Sequence, residues 1–131
     1  MAGFTLIELL IMVVIGGLLT AGALKALQAK ATTLRRADAQ AALLHIEAAQ
    51  ERHRFGDGGY VADLAVLHEP VNSRNGHYTL ELADVSRSGY TARATAKSTG
   101  DQRNDIGCLE ITLTVQAERS IYGPSPACWT R

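Results

Sequence analysis

Glu8 is the one charged side chain in the apolar run from residue 3 to residue 24, and a carboxylate in such a place needs a partner. About 20 apolar residues suffice for a membrane-crossing helix, whereas an acid at the centre of that helix costs roughly 2.5 to 3.5 kcal/mol on insertion scales. Unpaired in an apolar interior, the group would protonate or be expelled. Near a helix N-terminus it is also favoured by the macrodipole and can stay wet. The other residues that could do chemistry form no catalytic constellation. His45 and His53 are eight apart, not the four that bring two imidazoles to one zinc ion, and no HExxH pattern accompanies them. They read as surface or interface residues. Patterns for a phosphate loop, GxGxxG or GxSxG are absent as well, so the expectation is no enzyme, no cofactor and no metal centre. Asp57 and Asp63 match no EF-hand spacing and read as solvated turn residues. The stretch 99–105 has two acids and two amides; an ordinary loop is the expectation there, a cation site the alternative.

The two cysteines, Cys108 and Cys128, are not spaced as a CxxC pair, which disfavours metal or thioredoxin-like chemistry. In a head outside the cytoplasm they are expected to form a disulfide, and closing a loop of about 20 residues stabilises a fold by roughly 3 kcal/mol on the chain-entropy model. Two free thiols are the alternative. The chain has 131 residues, so one modest domain remains once the apolar segment is set aside, small enough to need such a staple. Formal net charge is zero, which gives no strong attraction to nucleic acid or to an anionic membrane. Residues 25–54 carry six basic and three acidic side chains, and the chain beyond carries seven and nine. With a mildly acidic head, nucleic acid is not an expected partner. Applied alone, the positive-inside rule would keep the 25–36 side in the cytoplasm.

The helix and strands that carry these residues are legible in outline. Leu24, Leu27, Ala31, Leu34, Ala37, Ala41, Leu44 and Ala48 recur at steps of three and four, the mark of one apolar helical face. No proline precedes Pro70 and good helix formers dominate residues 21–50, so one helix is expected over about residues 4–54. Its first half is apolar nearly all round, while the second is expected to pack the Leu27 to Ala48 stripe on a globular head. Gly16, Gly17 and Gly22 each cost up to about 1 kcal/mol relative to Ala; small residues also permit close helix packing in lipid. The glycines of residues 56–59 end the helix, and a loop with turns at Pro70, Asn72 and Asn75-Gly76 follows. Three stretches then alternate as strands do. Residues 77–83 set Tyr78, Leu80 and Leu82 on one side, residues 90–96 set Tyr90, Ala92, Ala94 and Ala96 together, and residues 108–116 do so with Leu109, Ile111, Leu113 and Val115. Turn-rich connections make this an antiparallel meander. The tail from Ser120 onward contains Tyr122 and Trp129; aromatics suit a recognition surface, but a lone Trp in a small head is expected to be buried.

The residues Gly3-Phe4-Thr5-Leu6-Ile7-Glu8 ahead of an apolar run resemble the N-terminal signature of type IV pilins, secretion pseudopilins and competence pilins. Gly59-Tyr60, His77-Tyr78-Thr79-Leu80, Tyr90-Thr91, Gln102, Asp105, Cys108 and Cys128-Trp129 look in order like the head of a small minor pilin. The resemblance implies an α+β fold, with a long N-terminal helix, membrane-spanning in its first half, packed on a small antiparallel meander head. It implies cleavage by a prepilin peptidase after Gly3, N-methylation of Phe4, and subunit assembly in which Glu8 pairs with the terminal amine of Phe4 on a neighbour. Its regions would be a leader (residues 1–3), a membrane and filament-core helix (4–24), an amphipathic half (25–55), a connecting loop (56–76) and a sheet head with a C-terminal disulfide loop (77–131). Family leaders are usually longer and basic, and a proline often stands where this chain has Lys25. The implied partners are other pilin subunits, the peptidase, the inner membrane and its pilus assembly machinery, with the head outside the cytoplasm and then on an extracellular pilus. Alternatives are a type II secretion pseudopilin, or a DNA-uptake or adhesive pilin acting as a binding module. Ala21-Gly22-Ala23 also resembles an ordinary signal-peptidase site, which would leave a domain beginning at Leu24.

Overall fold

A computed structural model describes residues 4–129. The chain divides into two compact units, Met1–Thr32 and Thr33–Arg131. One helix, α1 (Leu6–Asp57), runs through both. In the first unit Thr5 starts the helix, its carbonyl accepting the N–H groups of Glu8 at 3.1 Å and Leu9 at 3.2 Å. The Thr5 hydroxyl also accepts the Glu8 N–H, at 3.4 Å, as an N-cap side chain does for the third residue of a helix. α1 includes a stretch long and apolar enough to cross a membrane, none of it buried within the chain. The helix continues through Gly16, Gly17 and Gly22, and a methyl group added at any of the three would meet nothing within 4 Å among the described residues beyond the helix's own neighbouring backbone.

The second unit is the head. α1 stops where Gly58 takes a φ of +80°, a conformation an L side chain resists, and donates its N–H to the carbonyl of Arg54 at 2.9 Å. Four strands follow: β1 (Tyr78–Ala83), β2 (Gly89–Ala96), β3 (Glu110–Gln116) and β4 (Arg119–Gly123). They pair antiparallel in the order β1-β2-β3-β4. The meander is therefore one strand longer than the alternation alone indicates. β2 and β3 approach so closely at Gly89 that any β-carbon there would run into the Val115 carbonyl.

Alternation places Tyr78, Leu80, Tyr90, Ala92, Ala94, Ile111, Leu113 and Val115 in the core, as their spacing requires. Leu109 departs from its group: it precedes β3 and is 38% exposed. The larger correction concerns the helix. Ala39, Leu43, Ile46, Ala49 and Gln50 are buried, while Leu34, Ala37, Ala41, Leu44 and Ala48 of the expected stripe are exposed. In an alanine-rich helix two neighbouring faces carry nearly the same apolar period. The face that turns inward is the one offering Leu43 and Ile46, where branched aliphatic bulk fills the space over the sheet. The connection between α1 and β1 also contributes more than turns, since Leu64 and Leu67 are buried in the same core.

Candidate functional site

The head's polar side chains are arranged around contacts from α1 to the C-terminal third of the chain. Arg36 donates from Nε and Nη2 to the two carboxylate oxygens of Asp105, at 2.7 and 2.6 Å. Such a fork is among the strongest ion pairs available, and the Asp105 bond holds the guanidinium above its already high ordinary range against the opposing effect of burial. Gln102 adds a 2.7 Å bond to the same carboxylate. One turn further along α1, Gln40 donates to the Cys128 carbonyl at 2.8 Å, and Arg36 also reaches the Ala127 carbonyl at 3.1 Å. Cys108 and Cys128 are joined by a disulfide. The last segment is thus held to the helix by side-chain bonds as well as by the covalent link. Beside this cluster Tyr78 is buried, and desolvation pushes its hydroxyl up to about 12.

The residues singled out from the sequence fall into different places. Gly3 lies outside the described residues. Phe4 is 74% exposed in the single chain, and Glu8 is an exposed acid in the first turn of α1. The two acids of residues 99–105 are engaged by arginines, Asp101 with Arg35 at 2.9 Å and Asp105 with Arg36, so arginine side chains supply the positive charge there. Asp63 accepts the N–H of Ala65 at 2.8 Å, as a turn residue does. Asp57 lies 3.2 Å from Nε2 of His53, whose other ring nitrogen is 3.1 Å from the Gly59 carbonyl oxygen. His45 is exposed on the helix. Trp129 is half-buried against the core, its indole N–H donating to the Gly123 carbonyl at 2.9 Å. Tyr122, 48% exposed, meets it edge-on with ring centroids 4.7 Å apart.

Sequence reasoning misses how the charges pair. Arg54 binds Glu51 and Glu118, and Arg93 binds Glu81 and Glu110. With Arg35 and Arg36 also engaged, eight basic side chains, Arg74, Lys97 and Arg103 among them, take part in no ion pair among the described residues. Those three lie in the segments at one end of the sheet, where β1 begins and β2 ends. Lys97 follows β2 and donates its N–H to the His77 carbonyl at 3.0 Å, and its own carbonyl accepts Gly100 at 3.1 Å. Gly100 in turn accepts Arg103 at 3.2 Å, and the Lys97 ammonium lies 4.0 Å from the β-carbon position of Gly76. Arg74 and Arg103 are exposed and Lys97 half-buried. Net charge cannot show this grouping, because it carries no information on where the cations sit.

A long N-terminal helix with an apolar first part, closed in the head by an antiparallel meander and a C-terminal disulfide, is the architecture of a type IV pilin. A family model described as "Type IV minor pilin ComP, DNA uptake sequence receptor" matches residues 27–112, and the chain belongs to that minor pilin family. No curated protein matches the chain.

Proposed function

We propose that this minor pilin is made as a prepilin, cut after Gly3 by the prepilin peptidase, N-methylated at Phe4 and polymerised with other pilin subunits through α1, with its head acting as a receptor for DNA. Before assembly it sits in the inner membrane with the head outside, served by the pilus assembly machinery. The observation that carries the receptor part is the family match itself, because the family is described as a DNA uptake sequence receptor. The basic cluster of Arg74, Lys97 and Arg103 supports it against the neutral net charge. Cations without a protein partner are the ones free to neutralise phosphates and release their counterions. Contacts of that kind position DNA without reading its sequence.

Binding of a DNA duplex to the full-length chain in detergent, followed by fluorescence anisotropy across a salt series, tests the receptor. The logarithm of the affinity is expected to fall linearly with the logarithm of salt. Replacing any one of Arg74, Lys97 or Arg103 by Gln should lower that slope by about 1 and weaken binding roughly equally across sequences. Unchanged slopes in all three variants would remove this cluster from the DNA surface. No binding at low salt would remove the receptor reading and leave that of a filament subunit standing.

Processing is tested by the intact mass and N-terminal residue of the protein made in its native host. A methylated Phe4 terminus is expected. A terminus at Leu24 would mean ordinary secretion and would exclude assembly through a filament-core helix.

A further inference from the structure

Between α1, the segment 69–74 and β1 the head holds a cleft of about 340 Å3, within the size range of small-molecule sites. Two carboxylates line it, Asp38 from the helix and Glu69 from the connecting segment. Asp38 is only 8% exposed. Its one hydrogen-bond donor among the described residues is the backbone N–H of Asn75, at 3.2 Å from one oxygen and 3.3 Å from the other. Neither acid is joined to a cation among the described residues. Arg74 also lines the cleft but is exposed and pairs with neither. Buried carboxylates are ordinarily compensated by charge or by several donors, and Asp38, facing an open cleft with one long neutral bond, is not. The remaining walls are largely apolar, with Ala41 and Ala42 on the helix and Leu80 on β1.

We infer that this cleft takes an ammonium or guanidinium group carried on a short aliphatic stem, as in a lysine or arginine side chain or a small free amine. The cationic head is received by Asp38 and Glu69, with the Asn72 carboxamide, which makes no side-chain hydrogen bond among the described residues, as a further acceptor on the same wall. The stem lies on Ala41, Ala42 and Leu80, the way long basic side chains bury their methylenes while the charge finds a partner. An anion would be drawn by Arg74 at the rim and repelled by two acids within. A purely apolar guest would leave the Asp38 charge uncompensated. This reading depends on neither the DNA receptor nor filament assembly.

The test is titration of the isotope-labelled full-length chain in detergent micelles with agmatine, and with butanol and butyrate as neutral and anionic counterparts of the stem. Agmatine is expected to give saturable amide shifts confined to residues 38–45 and 69–75, with a response to the other two weaker by about tenfold or more. Glu69→Gln should weaken agmatine binding about tenfold and Asp38→Asn should abolish it. If Asp38→Asn fails to fold, Glu69→Gln, at a half-buried position whose carboxylate makes no bond among the described residues, carries the test. Equal responses to the three probes, or unchanged affinity in Glu69→Gln, would overturn the inference. Where the cation comes from is read in the same samples. Self-association that agmatine reverses assigns it to a basic side chain of a second copy, and saturable binding without self-association assigns it to a free amine.

Discussion

Glu8→Ala is expected to leave membrane insertion intact or improved while incorporation into filaments falls by roughly a hundredfold or more. The two effects have opposite signs because the carboxylate has different surroundings before and after assembly. In the bilayer it is a cost of roughly 2.5 to 3.5 kcal/mol toward the centre of the helix, relieved by alanine. In a filament core it would neutralise the terminal amine of Phe4 on a neighbouring subunit. Removing one member of a buried pair strands the other at a cost of about 3 to 5 kcal/mol, which is two orders of magnitude or more in an equilibrium constant. Glu8→Gln should behave alike, since it keeps the shape and loses the charge. The competing account assigns Glu8 to the start of α1, where the Thr5 hydroxyl already caps its N–H at 3.4 Å. An acid in a first turn contributes only about 0.3 to 1 kcal/mol, so both variants would then assemble within a few-fold of the parent. The ratio of this subunit in sheared pili to that in membranes, measured in a host with the rest of the machinery, separates the accounts. Normal incorporation would discard the pairing.

Replacing both cysteines by serine is expected to destabilise the head by about 3 kcal/mol, the loop-closure value for a separation of 20 residues. The loop so closed contains β3 and β4, so its removal frees a large part of a small sheet in the unfolded ensemble. The head should nevertheless remain folded at neutral pH. The fork from Arg36 to Asp105 and the bond from Gln40 to the Cys128 carbonyl tie the same two segments to α1 without the disulfide. Guanidinium denaturation of the parent with and without reductant, beside the double variant, checks this. The reduced parent and the variant should shift to the same lower midpoint. An unchanged midpoint would mean that the cross-link removes no entropy from the unfolded chain beyond what residual structure there already removes.

Several parts of the fold are legible in the sequence because their signals are local. A long run of apolar residues with one acid has few physical interpretations, and strict alternation in β1, β2 and β3 marks which side chains face inward. β4 escaped because its hairpin turn carries no glycine or asparagine. Ala117 and Glu118 take φ of 49° and 64°, a conformation hairpins usually assign to residues with less steric resistance. The strand itself spans only Arg119–Gly123 and runs into Pro124. The helical face is ambiguous for a different reason: alanine repeats on adjacent faces look the same in one dimension.

The cleft and the basic cluster depend on contacts between residues far apart in the chain. Arg36 and Asp105 are separated by 69 residues, and Arg54 and Glu118 by 64; which cations remain unpaired follows only once such partners meet. The apolar helix with its single carboxylate, the alternation of three strands and the kind of protein these resemble are legible in the chain alone, because hydrophobic period and residue type act over a few neighbouring positions. Only the folded head shows which helical face is buried, that a fourth strand closes the meander, which arginines are engaged by acids and where two carboxylates face a cleft with no ion pair to either. Those outcomes are set by distances between segments, and a linear pattern does not contain them.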